Sequence, residues 1–286
     1  MVSGKNMRCA WRLRMHILSL KYSSICEQGL VRKNNQDSVY VNVKGHNGVF
    51  CVADGMGGYE KGEVASGIIV DRIKNAWETI ITQKGSRHFR NVFNAVSNAI
   101  KEANREIYEN YNNGSVCGST VTVLLLYKKE YGIISSGDSR LYSCFKGKVR
   151  QMTVDDVWEN LPAQKNTPFD ELRKSPKFGK LTNAVGTTRD VRLNCITGRI
   201  RGSGAYMLCS DGAYKMCGYD EFNGVIREFA TKPDVLTEAI RQKVFMAGAR
   251  DNLSVIALYI RAVGLFGRKD TETADNRKTD DITDVL

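Results

Sequence analysis

The chain lacks the features that mark membrane-spanning, secreted and disulfide-linked proteins. Its longest largely apolar run, residues 121–127, falls far short of the roughly 20 residues that a transmembrane helix needs. Residues 1–16 are basic but have no apolar core of the kind that a secretory signal requires. The eight cysteines include no C-x-x-C pair, and several lie in apolar stretches. We therefore expect a cytoplasmic protein without a membrane span, whose cysteines are buried and reduced.

Histidine is equally scarce. The three histidines, His16, His46 and His88, lie far apart and outside every motif described below. The sequence therefore offers no cluster of His and Cys side chains for zinc, and a metal site would have to use oxygen ligands.

The composition favours a single α+β domain. A chain of 286 residues with 42% hydrophobic residues can build a sizeable core. We place this domain at residues 17–266, between a basic leader (1–16) and a polar, acidic tail (267–286), both expected to be disordered. The net charge is +11, but the Lys and Arg residues are scattered without interleaved aromatics, so we expect a solvated surface and no nucleic-acid partner.

Hydrophobic periodicity predicts the following strands: 38–43, 48–54, 119–127, 130–136, 140–145, 147–152, 205–210 and 254–261. It predicts helices at 63–82, 89–111, 220–231 and 234–248. Short turns between most strands indicate antiparallel sheets, and helix pairs with one apolar face indicate sheets packed between helix layers. Residues 155–180 hold three of the four prolines and read as a surface insertion, called the flap below.

Aspartates stand at the ends of several predicted strands. Asp54 ends one apolar run, in Val52-Ala-Asp54-Gly55-Met-Gly-Gly58, and Asp211 ends another. Asp138 follows a third run and Asp251 opens a fourth, while Asp37 precedes the first strand. Two carboxylates about 4 Å apart repel by roughly 4 kcal/mol at an effective dielectric near 20. If these strand ends meet, they need a cation, and an all-oxygen set suits Mg²⁺ or Mn²⁺.

These motifs, in this order, resemble the metal-dependent serine/threonine protein phosphatases of type 2C (the PPM family), and specifically their bacterial branch. The resemblance is carried by Gly29-Leu-Val-Arg32 with Asn35-Gln-Asp37, residues 52–58 with 62–66, Gly118-Ser-Thr120, Gly137-Asp-Ser-Arg140, residues 181–186, Ser210-Asp-Gly212 and Asp251-Asn-Leu-Ser-Val255.

The resemblance implies a four-layer α-β-β-α sandwich of two mainly antiparallel sheets flanked by helix pairs. It also implies two Mg²⁺ or Mn²⁺ ions. Asp54 would bridge them, the Gly55 carbonyl would bind one, and Asp211 and Asp251 would bind the other. Asp37 would act through a metal-bound water, and Asp138 would join Asp211 at a third, weaker site.

The implied reaction is hydrolysis of phosphoserine and phosphothreonine in proteins by an activated water, without a covalent enzyme intermediate. Arg32 matches the phosphate-binding arginine of the family, and a guanidinium can hold phosphate oxygens through two hydrogen bonds. The expected partners are phosphoprotein substrates and a Ser/Thr kinase whose action the protein opposes. We expect a monomer.

Three positions depart from the family pattern: Met56, Asp156 and Val157. Met56 stands where some relatives carry a His that protonates the leaving group, so we expect water to supply that proton. The bacterial pattern T-x-D-H-S reads Thr153-Val-Asp155-Asp156-Val157 here. The additional carboxylate of Asp156 would either weaken the approach of the substrate or change how the flap is anchored.

Three other functions fit parts of the sequence. Cys26 and Arg32 match the C-x₅-R pattern of cysteine-dependent phosphatases. A module that binds phosphoproteins without turnover would keep the same carboxylates, as would a metal-dependent phosphodiesterase or nuclease.

Overall fold

The computed structural model describes residues 16–57, 61–83, 88–112 and 116–264. In chain order, its strands are β1 (His16–Glu27), β2 (Asp37–Lys44), β3 (Asn47–Gly57), β4 (Cys117–Ser119), β5 (Val121–Tyr127), β6 (Glu130–Ser136), β7 (Arg140–Phe145), β8 (Lys148–Gln151), β9 (Asn194–Arg199), β10 (Gly204–Cys209) and β11 (Leu253–Gly264). Its helices are α1 (Lys61–Thr82), α2 (Phe89–Tyr111), α3 (Phe169–Leu172), α4 (Asp211–Tyr214), α5 (Tyr219–Phe229) and α6 (Pro233–Met246).

The strands form two sheets in which every pair is antiparallel among the residues described. One sheet has the order β1-β11-β10-β7-β8. The other has the order β2-β3-β5-β6-β9, and β4 pairs with the end of β3. Among the described residues, no helix combines the length and the apolarity needed to cross a membrane.

Three apolar layers hold the elements together. Residues such as Phe50, Leu124 and Ile256 fill the space between the two sheets. Trp77 of α1 and Ile100 of α2 belong to the layer between the helix pair α1–α2 and the sheet that contains β3. The pair α5–α6 covers the other sheet through a third layer. The predicted α-β-β-α sandwich is therefore confirmed.

The secondary-structure predictions hold for all four long helices and all eight predicted strands, within a few residues at their ends. Three strands, β1, β4 and β9, were not predicted separately, and the predicted strand 119–127 takes in only the last residue of β4. β9 is a partly exposed edge strand interrupted by Gly198, and it therefore lacks the apolar pattern of a buried strand. β1 carries several Ser residues, and it begins at His16, the last residue of the expected leader. Residues 1–15 and the expected tail lie outside the described part of the chain, so these boundaries stay predictions.

The expected burial of the cysteines is confirmed at four positions and wrong at Cys195, which is exposed, while Cys26 and Cys217 are half-buried. Cys51, Cys117, Cys144 and Cys209 are buried and unpaired. None of the cysteines in the described residues forms a disulfide.

The flap is anchored at its base by two buried carboxylates. Asp155 pairs with Arg140, whose Nη2 lies 2.7 Å from Asp155 Oδ2. Asp156 accepts hydrogen bonds from the Gly137 N–H at 3.1 Å and from Arg192 Nη2 at 2.7 Å. The side-chain amides of Asn183 and Asn194 also donate to it. The Asp156 side chain therefore fixes the flap to the turn before β7.

Replacing Asp156 by Ala should lower the free energy of unfolding by about 1–3 kcal/mol, because the buried Gly137 N–H and the half-buried amides of Asn183 and Asn194 lose their shared acceptor. Thermal or urea unfolding measures the change. Asp170→Ala, at an exposed position in the same flap, is the matched control and should change stability by less than about 0.5 kcal/mol. Equal effects of the two substitutions would show that Asp156 anchors nothing.

Gly55 lies where the end of β3 and the start of α1 meet most closely. A Cβ atom there would lie 2.1 Å from the Gly62 carbonyl oxygen and 2.5 Å from that of Gln36. Both are backbone atoms that cannot rotate away, so only glycine fits.

Gly55→Ala should therefore destabilise the protein by about 1–3 kcal/mol through overpacking. Gly67→Ala is the control, since a Cβ at this position of α1 would meet nothing within 4 Å. It should raise stability by about 0.5–1 kcal/mol, as expected for Gly→Ala inside a helix. A Gly55→Ala variant that melts at the temperature of the wild type would contradict the close approach.

Candidate active site

Four of the predicted aspartates line one cavity of about 400 Å³ at one end of the two sheets. They are Asp54, Asp138, Asp211 and Asp251, and Arg32, Gly55 and Met56 line the same cavity. Each aspartate stands at or beside a strand end: Asp54 in β3, Asp138 in the turn between β6 and β7, Asp211 after β10 and Asp251 before β11. The convergence expected from the sequence is thus observed.

Asp37 does not line the cavity. Its side chain is buried next to the cavity wall. It pairs with Asp54 across β2 and β3, and Ser210 Oγ donates to its Oδ2 at 2.8 Å. Its Oδ1 is the one buried side-chain oxygen or nitrogen in the described residues without a hydrogen-bond partner. Burial raises the pKa of Asp37 to about 6, against the opposing effect of hydroxyl hydrogen bonds. An unpartnered buried oxygen of this kind suits a water-linked cation.

The buried carboxylates destabilise one another's charged forms. Burial, followed by the charges of Asp37 and Asp211, raises the pKa of Asp54 well above its ordinary value. Burial and the charge of Asp211 likewise raise the pKa of Asp138, although Lys215 opposes the increase. Raised pKa values caused by burial and like charges are typical of functional sites, and here they indicate a demand for positive charge.

Two cationic side chains contact these carboxylates. Arg32 Nη2 lies 2.8 Å from Asp251 Oδ2, and this hydrogen bond raises the pKa of Arg32. Lys215 Nζ lies 2.5 Å from Asp211 Oδ2 and 3.4 Å from Asp138 Oδ2. Burial by itself would lower the pKa of Lys215, but the two carboxylates outweigh it and the net change is upward.

Asn252 ties together the loops that carry Asp251 and Arg32. Its side-chain amide donates to the carbonyl oxygens of Gln28 and Asn34 at 2.8 and 3.0 Å, and its Oδ1 accepts from the Gln36 N–H at 3.0 Å. The Asn252 N–H donates to Asp251 Oδ1 at 2.9 Å. A Cβ on Gly212 would lie 2.0 Å from the Asn252 carbonyl oxygen, so the segments of Asp211 and Asp251 touch through their backbones.

The residues present fit a divalent-ion site, but they do not form a closed cage. Side chains that offer oxygen ligands, mainly aspartates, line much of the cavity. At Gly55 the backbone lies close to the backbones of Gln36 and Gly62. Within the described residues, no three His, Cys, Asp or Glu side chains form a group ready to hold one ion. Carboxylate and backbone oxygens are the ligands that Mg²⁺ and similar ions take, together with several waters.

Asp156 does not line the cavity, and its side chain is 6% exposed. Of the two expected effects of this carboxylate, the structure therefore supports altered flap anchoring. Val157 forms a bridge with Leu181 at the opposite end of the flap. Residues 179–181 border the cavity, so the anchored flap forms part of its wall.

No histidine or cysteine of the described residues lines the cavity. Met56 occupies the position next to Gly55. Cys26 lies in β1, and burial raises the pKa of its thiol. A cysteine nucleophile needs the opposite shift, so the structure disfavours the cysteine-dependent mechanism.

Sequence reasoning missed three residues of the site. Ser210 and Asn252 belonged to quoted motifs but received no role, and Lys215 was not considered. A signal for Lys215 was present, because it follows Asp211 by four residues in a short segment that can form one helical turn. The metal and phosphate roles of the aspartates, Gly55 and Arg32 stay predictions.

Comparison with known proteins shows the family. The model of the family described as "Protein phosphatase 2C" matches residues 31–235. The serine/threonine protein phosphatase PstP of Mycobacterium tuberculosis is 29% identical over 244 residues, which cover 84% of this chain and 45% of PstP. The chain thus spans about half the length of this relative. The serine/threonine phosphatase stp of Listeria monocytogenes is 27% identical and is covered to 92% of its length, against 80% of this chain.

Solved structures lead to the same family. The catalytic domain of PstP in complex with two manganese ions matches with a TM-score of 0.68 and 26% identity, covering 85% of this chain and 99% of that domain. The family resemblance read from the motifs is confirmed: this chain belongs to the protein phosphatase 2C family.

Proposed function

We propose that the protein is a Mg²⁺- or Mn²⁺-dependent serine/threonine phosphoprotein phosphatase. The observation that carries the proposal is the single cavity in which four strand-end aspartates face Arg32, in a chain of the protein phosphatase 2C family. A two-manganese complex is known for the PstP catalytic domain, and the oxygen-rich donor set of this cavity fits the same kind of centre.

Asp54 and the Gly55 carbonyl would hold one ion, and Asp211 and Asp251 the other, with Asp54 shared between them. Asp37, which is buried beside the cavity, would contact the ions through a water molecule, since its Oδ1 is buried without a protein partner. When bound, the ions would supply a water of lowered pKa as the nucleophile and neutralise charge on the phosphate.

Arg32 would position the phosphate. Its side chain is 54% exposed at the cavity and uses Nη2 for Asp251, and a guanidinium has further N–H groups that can hold two phosphate oxygens. Met56 leaves no acid beside the leaving group, so the seryl or threonyl oxygen would take its proton from water. Gly179 and Lys180 of the flap, and Leu181 directly after it, would contact the substrate next to the phosphorylated side chain.

We further infer that the protein is a cytoplasmic monomer that acts on phosphorylated proteins and opposes a Ser/Thr kinase. The free, buried cysteines agree with a reducing compartment. The family relationship supports phosphoproteins as the substrate class.

The decisive test is phosphate release from a phosphothreonine peptide in Mn²⁺ and in EDTA. EDTA should reduce the rate to background. Asp211→Asn should lower kcat/KM at least about 100-fold, since even the loss of residues that support a metal ligand costs 10–100-fold. Asp220→Asn, at an exposed position of α5, is the control and should retain the wild-type rate.

The other outcomes identify the competing functions. Hydrolysis of a phosphodiester but not of the phosphopeptide would identify a phosphodiesterase or nuclease. Peptide binding without phosphate release at saturating Mn²⁺ would identify a binding module. Equal rates in Mn²⁺ and EDTA would refute metal dependence.

Arg32→Lys keeps the charge but loses the planar pair of donors. We expect kcat/KM to fall about ten- to a hundredfold, as for the loss of a charge-assisted hydrogen bond. Steady-state kinetics with the same peptide measures it, with Lys33→Met as the neighbouring control, since Lys33 is also exposed. If Arg32→Lys and Lys33→Met had the same small effect, Arg32 would be only a surface residue.

A further inference from the structure

Asp138 and Asp211 share one cation that belongs to the protein itself. The Lys215 ammonium lies 2.5 Å from Asp211 Oδ2 and 3.4 Å from Asp138 Oδ2. Asp138 is only 5% exposed, so water contributes little to stabilising its charge. A cation between these two carboxylates stabilises the charge of both, and the chain provides one in Lys215.

The position of Lys215 follows from the segment that carries it. Its backbone N–H donates to the Asp211 carbonyl oxygen at 2.9 Å, which places the two side chains one helical turn apart. The Tyr214 hydroxyl donates to the Asp138 carbonyl oxygen at 3.1 Å. The Arg140 guanidinium stacks 3.6 Å from the centre of the Tyr214 ring. These contacts hold α4 against the turn that carries Asp138, and they direct the Lys215 side chain towards both carboxylates.

We propose that the Lys215 ammonium takes the place of a divalent ion between Asp138 and Asp211, so that the protein binds two divalent ions and no third, weaker one. The proposal rests on the proposed function, because Asp211 is also a ligand of the two-ion centre. A divalent ion entering between the two carboxylates would be repelled by the ammonium and would have to displace it. Lys215 contacts Oδ2 of Asp211, and the same carboxylate still offers Oδ1 to one of the two ions.

The test counts bound ions rather than activity. The full chain is titrated with Mn²⁺, and bound Mn²⁺ is measured by isothermal titration calorimetry and by the EPR signal of the free ion. We expect two ions per wild-type chain and three per Lys215→Met chain, the third weaker than the others. Lys180→Met removes another exposed cation at the edge of the same cavity and should still bind two.

Each result has a definite meaning. Three ions in the wild type would overturn the proposal while leaving the phosphatase function intact. Two ions in both Lys215→Met and the second variant, Lys215→Ala, would also overturn it. A third ion in Lys180→Met would show a general charge effect and overturn it as well. No bound Mn²⁺ in any variant would refute the metal centre and, with it, the proposed function.

Discussion

The rest of the structure has to offset the repulsion between the carboxylates that lie at one end of the two sheets. At an effective dielectric near 20, each close pair of like charges costs roughly 4 kcal/mol at 4 Å. Asp37, Asp54 and Asp138 have raised pKa values because they are buried among like charges. Arg32 and Lys215 offset part of this repulsion by contacting Asp251, Asp211 and Asp138. Functional sites often retain such local instability, and the rest of a fold must then stabilise it.

The two-sheet core supplies that stability and also sets the geometry. β10 and β11 are neighbours in one sheet, and β2 and β3 are neighbours in the other. Their ends therefore bring Asp211 near Asp251 and Asp37 opposite Asp54. The apolar layer between the sheets fixes these two pairs relative to each other. Close backbone contacts at Gly55 and Gly212 leave no room for a side chain at either position, which limits how far the loops can shift.

The sequence alone predicted the layered fold and the convergence of the strand-end aspartates, because strand ends and Asp-Gly turns are local signals. The sequence did not predict β1 and β9, because these strands have weak apolar patterns and pair with strands far away in the chain. The interactions of Asp156 with Arg192 and Asn194 span 36 and 38 residues. No local pattern predicts such contacts. Lys215 required knowing both the helical turn of α4 and the place of Asp138, which follow only from the assembled sheets.

The turn that carries Asp138 is held from two sides, and this explains how the chain tolerates an altered flap sequence. On one side, the Gly137 N–H donates to Asp156 Oδ2, and the Gly137 carbonyl accepts from the Asp156 N–H at 2.9 Å. On the other side, Tyr214 and Lys215 contact Asp138 itself. Because Asp156 directs its charge to Arg192 rather than to the cavity, the additional carboxylate adds an anchor without adding negative charge to the cavity. A change at Asp156 would therefore act on the cavity through the position of Asp138, whereas Gly179 and Lys180 border the cavity directly.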